Sequence, residues 1–205
     1  MIILGLTGSI GMGKTRAGKN FRDLGVPVFD ADAAVHELLG SGGGAVAEVA
    51  CAFPGVETGG AINRVRLGAI VFDKPAELRR LEAILHPKVG DARALFLEVA
   101  KARGDAMVVF EVPLLFEGGG NALCTHVAVV SAPANIQRAR VLKRPNMTPE
   151  KLDAILAQQM PDAEKRQRAD FVIPTGSDKA KSLQAIRDIV KMLRPPSEDV
   201  PAKGA

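Results

Sequence analysis

Tryptophan and tyrosine are absent from this 205-residue sequence, in which phenylalanine occurs eight times. Proteins that bind single-stranded nucleic acid interleave basic residues with aromatic platforms, and this sequence does not. The formal net charge of +4 is local, because residues 138–168 hold eight Lys or Arg against four Asp or Glu, a surplus of four. Such a cluster suits a phosphorylated small ligand, and we expect no nucleic-acid partner.

Cysteine is also scarce, with Cys51 and Cys124 far apart and no CxxC pair. We expect two buried, reduced thiols rather than a zinc site. No apolar run approaches the roughly 18 residues that span a bilayer. The apolar residues 1–6 are too short, and lack the basic residues, for a signal peptide. We therefore expect a cytoplasmic protein with no membrane contact and no obligate protein partner.

The chain opens with a continuous apolar run at residues 2–6, which is typical of a strand in a parallel sheet covered on both faces. Further strands are predicted at 26–29, 107–110, 126–130 and 171–173, and helices at 14–24, from 134, from 149 and at 179–193. This alternation predicts an α/β fold with a parallel sheet flanked by helices. We expect the tail, 195–205, to be disordered.

Residues 33–103 interrupt the alternation and are predicted to form a helical insertion. Leu78, Leu81 and Leu85 follow helical spacing there. The core is then formed by residues 1–32 and 104–194. The glycine-rich segments at 40–44 and 58–60 are either flexible joints for the insertion or plain surface loops.

The clearest motif follows the first strand and matches G-x-x-x-x-G-K-[ST] in full: Gly8-Ser9-Ile10-Gly11-Met12-Gly13-Lys14-Thr15. Its glycines let backbone N–H groups turn toward a phosphate, and the following helix offers its positive end. Lys14 then contacts the β- and γ-phosphates, and the Thr15 hydroxyl is a ligand for Mg²⁺. Because a predicted strand precedes the motif and a predicted helix follows it, the sequence predicts a P-loop that binds a nucleoside triphosphate.

P-loop proteins include GTPase switches, ATPase motors and small-molecule kinases. No Asp in this chain is followed three places later by Gly, and no Asn is followed by Lys, which disfavours a GTPase. Val108-Val109-Phe110-Glu111 is compatible with the Walker B strand of a motor, but the chain is small for that class.

Asp30-Ala31-Asp32 favours a kinase, because ligands of open α/β sheets bind beyond the carboxyl ends of the strands. In an extended segment, Asp30 and Asp32 point to the same side, as one magnesium-linked acid and one general base. A helix N-cap and its neighbour would give the same pattern, and the pattern alone does not decide between them.

Arg138, Arg140 and Arg144 lie on or just after one predicted helix, and four-residue spacing places Arg140 and Arg144 on one face. Two guanidinium groups on one face repel each other unless an anion lies between them, and a triphosphate is such an anion. A solvated helix face is the alternative.

Over about residues 1–190 the sequence resembles the dephospho-CoA kinases. Besides the P-loop, the resemblance rests on Asp30-Ala31-Asp32, Asn63-Arg64 with Leu67 and Val71-Phe72, His86-Pro87, Pro113-Leu114-Leu115-Phe116-Glu117, Gln137, Arg140, Arg144, Gln159, Lys165 and Ala169-Asp170. It implies ATP-dependent phosphorylation of the ribose 3′-hydroxyl of dephospho-CoA, the last step of coenzyme A synthesis. The alternative is another nucleoside or nucleotide kinase of the P-loop class.

The resemblance also implies roles for single residues. Asp32 matches the catalytic acid–base position and contacts the acceptor, while Lys14 and Arg140 bind the β- and γ-phosphates of ATP. Arg144 binds ATP at the start of a lid segment, residues 144–160.

Residues 33–103 correspond to the CoA-binding region of the family, in which Arg64, His86 and Pro87 contact the substrate, as does Leu114 outside it. The sequence departs from the family at His36, where an arginine is common. It also departs at Pro174-Thr175, where an asparagine is common, so no adenine contact is assigned there.

Overall fold

The computed structural model describes residues 1–72, 74–176 and 178–194, so the expected disorder of 195–205 lies outside the described residues. The chain divides into two compact units. The first contains residues 1–28 and the described residues from 103 onward, and the second is Phe29–Ala102.

The secondary-structure elements follow one another along the described chain in this order: β1 (Ile2–Thr7), α1 (Lys14–Asp23), β2 (Val28–Asp30), α2 (Ala31–Leu39), α3 (Val46–Ala52), β3 (Glu57–Thr58), β4 (Ala61–Ile62), α4 (Arg64–Val71), α5 (Pro75–Ala102), β5 (Met107–Glu111), a 3₁₀ turn (Gly120–Leu123), β6 (His126–Ser131), α6 (Ala134–Leu142), α7 (Pro149–Ala157), α8 (Asp162–Arg168), β7 (Phe171–Pro174) and α9 (Lys179–Leu193).

The five-stranded sheet has the strand order β2-β5-β1-β6-β7, and its strands β5, β1, β6 and β7 form the centre of the first unit. β1 lies in the middle and pairs in parallel with β5 and with β6, and β6 pairs in parallel with β7. The β2 edge is joined at its start, where the Val109 N–H donates to the Pro27 carbonyl at 2.9 Å. The predicted α/β fold with a parallel sheet flanked by helices is therefore confirmed.

Side chains of β6 alternate between the two faces of this sheet, as the period of a strand requires. Ala128 and Val130 belong to the larger core, with Phe21 of α1 and Ile186 of α9. Val127 and Val129 point the other way and pack with Leu115 and Phe116. Both faces of the sheet are therefore covered, which explains why the strands read as continuous apolar runs.

The second unit is mostly helical and has its own core, in which Val49, Phe53, Leu67, Leu81 and Leu85 are buried. Its longest element is α5, which runs through Pro87 without ending. The short antiparallel pair β3–β4 was not predicted.

The two glycine-rich segments lie inside the second unit. The Gly42 N–H donates to the Gly60 carbonyl at 3.2 Å, and the Gly60 N–H donates to the Glu57 carboxylate at 3.1 Å. They are turns tied to one another, which agrees with the alternative of surface loops.

The expectation of two buried thiols is wrong for Cys51, which is exposed on the short helix α3, whereas Cys124 is half-buried. None of the helices within residues 1–72, 74–176 and 178–194 combines the length and the apolar character needed to cross a bilayer.

Candidate functional site

The loop between β1 and α1 turns back at residues 9–12, where the Met12 N–H donates to the Ser9 carbonyl at 3.1 Å. Gly11 has a φ of 76° and Gly13 a φ of 88°, a left-handed conformation that other residues rarely adopt. Gly13 is the N-cap of α1, and within the described residues no side chain caps this helix. Its first N–H groups therefore remain available to an anion, which the helix dipole also favours.

Lys14 and Thr15 open the first turn of α1. The Lys14 ammonium lies 3.9 Å from Glu111 Oε1, and the Arg22 guanidinium lies 4.0 Å from Glu111 Oε2. Glu111 is buried at the end of β5, while Thr15 is exposed. The N terminus of α1 thus carries a cation held by a carboxylate, next to an exposed threonine.

Three hydrogen bonds fix the P-loop from outside. Gln137 Nε2 donates to the Ile10 carbonyl at 2.8 Å, and the Ile10 N–H donates to Gln159 Oε1 at 3.0 Å. The Thr175 hydroxyl, just after β7, donates to the Met12 carbonyl. These partners are 127 to 163 residues distant in the chain, so the tertiary fold positions them.

A cavity of about 520 Å³ opens beside the P-loop. Residues that line it include Gly13, Arg16, Asn20, Arg140, Thr175 and Ser182. It is therefore built by α1, α6, α9 and the residues after β7, all of which belong to the first unit.

Arg140 reaches this cavity from the last turn of α6. Its Nη2 donates to the carbonyl oxygens of Thr175 and Gly176, at 2.5 and 2.7 Å. Its Nη1 is buried and has no hydrogen-bond partner in the described part of the chain. A guanidinium held on one side and unpaired on the other can bind an anion or a polar ligand group in the cavity.

The other two arginines of the basic segment are arranged differently. Arg138 forms an exposed ion pair with Asp153 of α7, with a distance of 2.9 Å. Arg144 is exposed and lies beyond α6, which ends at Leu142. The prediction that the three arginines lie on or just after one helix is confirmed, since Arg138 and Arg140 belong to α6 and Arg144 lies two residues beyond its end.

The segment after β5 contains Leu114, which is exposed, and Glu117. Glu117 Oε1 lies 2.8 Å from the ammonium of Lys165, a fully buried residue of α8, and also accepts the Met160 N–H at 2.8 Å. Burial raises the pKa of Glu117, but hydrogen bonds from Lys165 and from two backbone amides outweigh it, so the pKa lies below the usual 4.5. Glu117 is accordingly ionised at neutral pH and paired with Lys165.

In the second unit, the two aspartates of Asp30-Ala31-Asp32 have different environments. Asp30 is the N-cap of α2, and its Oδ1 accepts the Ala33 N–H at 3.0 Å. Asp32 is in the first turn of the helix and is exposed. The alternative of a helix N-cap and its neighbour is therefore confirmed, and the alternative of an extended segment is wrong, because the helix starts at Ala31. Among the residues described, the Asp32 carboxylate has no hydrogen-bond or ion-pair partner.

The remaining substrate candidates also lie in the second unit. Arg64 opens α4, and its Nη1 donates to His36 Nδ1 at 2.6 Å. An arginine can only donate, so Nδ1 of this imidazole must be the unprotonated nitrogen. His86 and Pro87 are exposed in the middle of α5.

Several contacts of this site go beyond what the sequence predicts. The family resemblance includes Gln137, Gln159 and Lys165 but gives them no role, and Thr175 has no predicted contact. The sequence offers one signal that could have found such residues. A polar side chain directly after a parallel strand, as Thr175 is, lies at the ligand-binding edge of the sheet.

Comparison with known proteins gives one consistent result. A family model described as dephospho-CoA kinase matches residues 2–180. A curated dephospho-CoA kinase from Paramagnetospirillum magneticum is 54% identical over 204 residues, which cover 100% of this chain and 96% of that protein.

Solved structures show the same architecture. The crystal structure of TT1252 from Thermus thermophilus superposes with a TM-score of 0.80 at 33% identity, covering 95% of this chain and 98% of that one. A dephospho-CoA kinase from Campylobacter jejuni gives a TM-score of 0.65 at 23% identity, covering 94% and 97%. At that lower identity the likeness concerns the fold alone.

Proposed function

This chain belongs to the dephospho-CoA kinase family, and we propose that it transfers the γ-phosphoryl group of ATP to the ribose 3′-hydroxyl of dephospho-CoA, giving coenzyme A and ADP. The resemblance noted in the sequence is thereby confirmed at the level of the family. The observation that carries the proposal is the uncapped N terminus of α1, with Lys14 in its first turn, opening onto a cavity that Arg140 also lines.

The triphosphate of ATP lies along the P-loop in this proposal. The amides at the start of α1 and the Lys14 ammonium bind the β- and γ-phosphates, and the free Nη1 side of Arg140 faces the bound nucleotide. The adenosine end occupies the cavity of about 520 Å³, which has the size of a small-ligand site. Arg144, on the exposed lid segment, approaches the nucleotide from outside.

Magnesium is expected with ATP, and the donors at the N terminus of α1 fit it. Thr15 is exposed and carries a hydroxyl oxygen, and Mg²⁺ prefers oxygen ligands that include substrate phosphates and waters. Thr15 would hold the ion together with phosphate oxygens of ATP. When bound, the ion would neutralise charge on the transferred group.

The second unit supplies the acceptor in this proposal. Asp32 accepts the proton of the 3′-hydroxyl as a general base, and its exposure without a structural partner suits that role. Asp30 caps helix α2 through its hydrogen bond from the Ala33 N–H, and it has no catalytic role in this proposal. Arg64, His86 and Pro87 contact dephospho-CoA, and Leu114 of the first unit contributes apolar surface.

Product analysis tests the reaction directly. Purified protein, MgATP and dephospho-CoA should yield ADP and coenzyme A in equal amounts, measured by chromatography and mass spectrometry, while adenosine and nucleotides in parallel reactions should react poorly. Phosphorylation of another nucleoside, with no turnover of dephospho-CoA, would overturn the proposed acceptor.

Asp32→Asn tests the base. Because the amide cannot accept the proton, we expect kcat to fall about 100-fold or more, with little change in ADP affinity. Glu37→Gln is the matched control, since it makes the same carboxylate-to-amide change at an exposed position of the same helix, and it should keep wild-type kinetics. Near-normal kcat in Asp32→Asn would rule out this assignment.

A further inference from the structure

One residue of the P-loop, Ile10, has both its backbone N–H and its backbone carbonyl bonded by glutamine side chains. The Ile10 carbonyl accepts from Gln137 Nε2 at 2.8 Å, and the Ile10 N–H donates to Gln159 Oε1 at 3.0 Å. Gln137 is buried on α6, before the lid segment, and Gln159 is half-buried near the end of that segment. The two glutamines therefore connect the P-loop to the residues that precede and end the lid segment.

Gln159 is itself held firmly in place. Its backbone N–H donates to the Leu156 carbonyl at 3.1 Å, at the end of α7. The next amide, that of Met160, donates to Glu117 Oε1, and Glu117 is paired with the fully buried Lys165 at 2.8 Å. Because Lys165 is fully buried, loss of its carboxylate partner would leave an uncompensated charge inside the protein, so this ion pair resists separation.

The P-loop needs such support because of its composition. Gly8, Gly11 and Gly13 give this segment more conformational freedom than other residues would, and that freedom must be restrained before the amides converge on a phosphate. Ile10 lies between these glycines. Its N–H is used by Gln159, so this amide is not a phosphate donor but a fixed point of the loop.

We propose that Gln159 and Gln137 are positioning residues that clamp the Ile10 backbone, one at its N–H and one at its carbonyl, and so preorganise the neighbouring amides of the P-loop for the β-phosphate of the nucleotide. This inference rests on the proposed function in one respect, namely that the P-loop binds a nucleotide. Preorganised donors bind a charged group without the cost of reorienting at that moment.

The clamp predicts a ligand-specific effect. Loss of the Gln159 hydrogen bond should weaken ligands that carry a β-phosphate and spare those that do not. We expect Gln159→Met, which keeps the side-chain length but replaces the amide oxygen by a weakly accepting thioether, to raise the Kd for ADP about tenfold, equivalent to about 1.4 kcal/mol, and to leave the Kd for AMP unchanged. In turnover, KM for ATP should rise more than kcat falls.

The experiment compares four proteins: wild type, Gln159→Met, Gln159→Glu and Gln158→Met. Gln158 is the exposed neighbour of Gln159 and serves as the matched control. Thermal unfolding verifies that each variant folds, calorimetry gives the ADP and AMP affinities, and amide hydrogen exchange followed by NMR reports directly on the Ile10 N–H.

We expect the Ile10 amide to exchange faster in Gln159→Met and to regain protection in Gln159→Glu, whose carboxylate accepts the same hydrogen bond. Gln158→Met should match wild type in every measurement. Unchanged Ile10 exchange together with wild-type ADP affinity in Gln159→Met would overturn the clamp, and so would an equal loss of ADP and AMP binding. If the ADP-specific effect appears but wild type does not phosphorylate dephospho-CoA, the clamp stands and the proposed acceptor fails.

Discussion

Gly18 of α1 is a residue whose missing side chain makes room for a buried carboxylate. A Cβ built there would overlap Glu111 Oε2 and would lie 3.1 Å from Glu111 Cδ. In an exposed helix the change Gly18→Ala would be stabilising by about 1 kcal/mol. Here we expect it to displace the Glu111 carboxylate from Lys14 and to lower kcat/KM by about tenfold, which is about 1.4 kcal/mol of transition-state stabilisation.

Steady-state kinetics and thermal unfolding of Gly18→Ala check this expectation. Gly90→Ala is the control, because Gly90 is also helical and a Cβ there would meet nothing within 4 Å. It should raise stability without changing kinetics. Wild-type kcat/KM in Gly18→Ala would show that Lys14 does not depend on the position of Glu111.

The P-loop residues could be found from sequence because they form one contiguous motif. The glutamine clamp could not, since Ile10 and its partners are 127 and 149 residues apart in the chain and meet only in the folded unit. The role of Asp30 could not be decided from the sequence for a different reason. The pattern Asp-Ala-Asp fits both an extended segment and a helix start, and only the observed hydrogen bond to the Ala33 N–H decides between them.

Helix α2 begins at that hydrogen bond, and the N-cap should contribute measurably to the stability of the second unit. Replacing an aspartate N-cap by alanine leaves helix N–H groups unsatisfied and costs about 1 kcal/mol. We expect Asp30→Ala to lower the free energy of unfolding by about that amount, measured by urea denaturation. Asp30→Asn keeps an acceptor oxygen and should lose only a few tenths of that stability. Equal losses in both variants would contradict the capping role.

Elements with strong periodicity or full burial were the predictable ones. The helix predicted at 179–193 is α9 with the same bounds, and the strand predicted at 107–110 is β5 with one residue more. β3 and β4 were missed because strands of two residues have no measurable alternation. α5 continues through Pro87, so the proline that usually ends a helix does not end this one.

Among the residues that the structure describes, each of the two units has a core of its own, formed by different side chains. Leu4, Phe21 and Ile186 belong to the core of the first unit, whereas Phe53, Leu67 and Leu81 belong to that of the second. The apolar runs in the sequence predicted a parallel sheet. They did not predict its strand order, because no residue pattern records which parallel strands are neighbours.

Two cores predict that the two substrates can be affected separately. Phe53 is only 2% exposed and has the Arg80 guanidinium over its ring at 5.4 Å. Phe53→Ala should destabilise the second unit by about 3–5 kcal/mol, as truncation of a buried phenylalanine does. Because the P-loop and the cavity beside it belong to the first unit, we expect ADP affinity to be retained while dephospho-CoA affinity falls.

Calorimetric titration of each ligand, together with hydrogen exchange resolved along the chain, separates these effects. Phe72→Ala is the matched control, since Phe72 lies in the same unit but is 65% exposed, and it should leave both affinities unchanged. A Phe53→Ala protein that loses ADP and dephospho-CoA binding equally would show that nucleotide binding depends on the core of the second unit. Retained ADP binding, together with faster hydrogen exchange confined to residues 29–102, would instead show that only dephospho-CoA binding depends on that core.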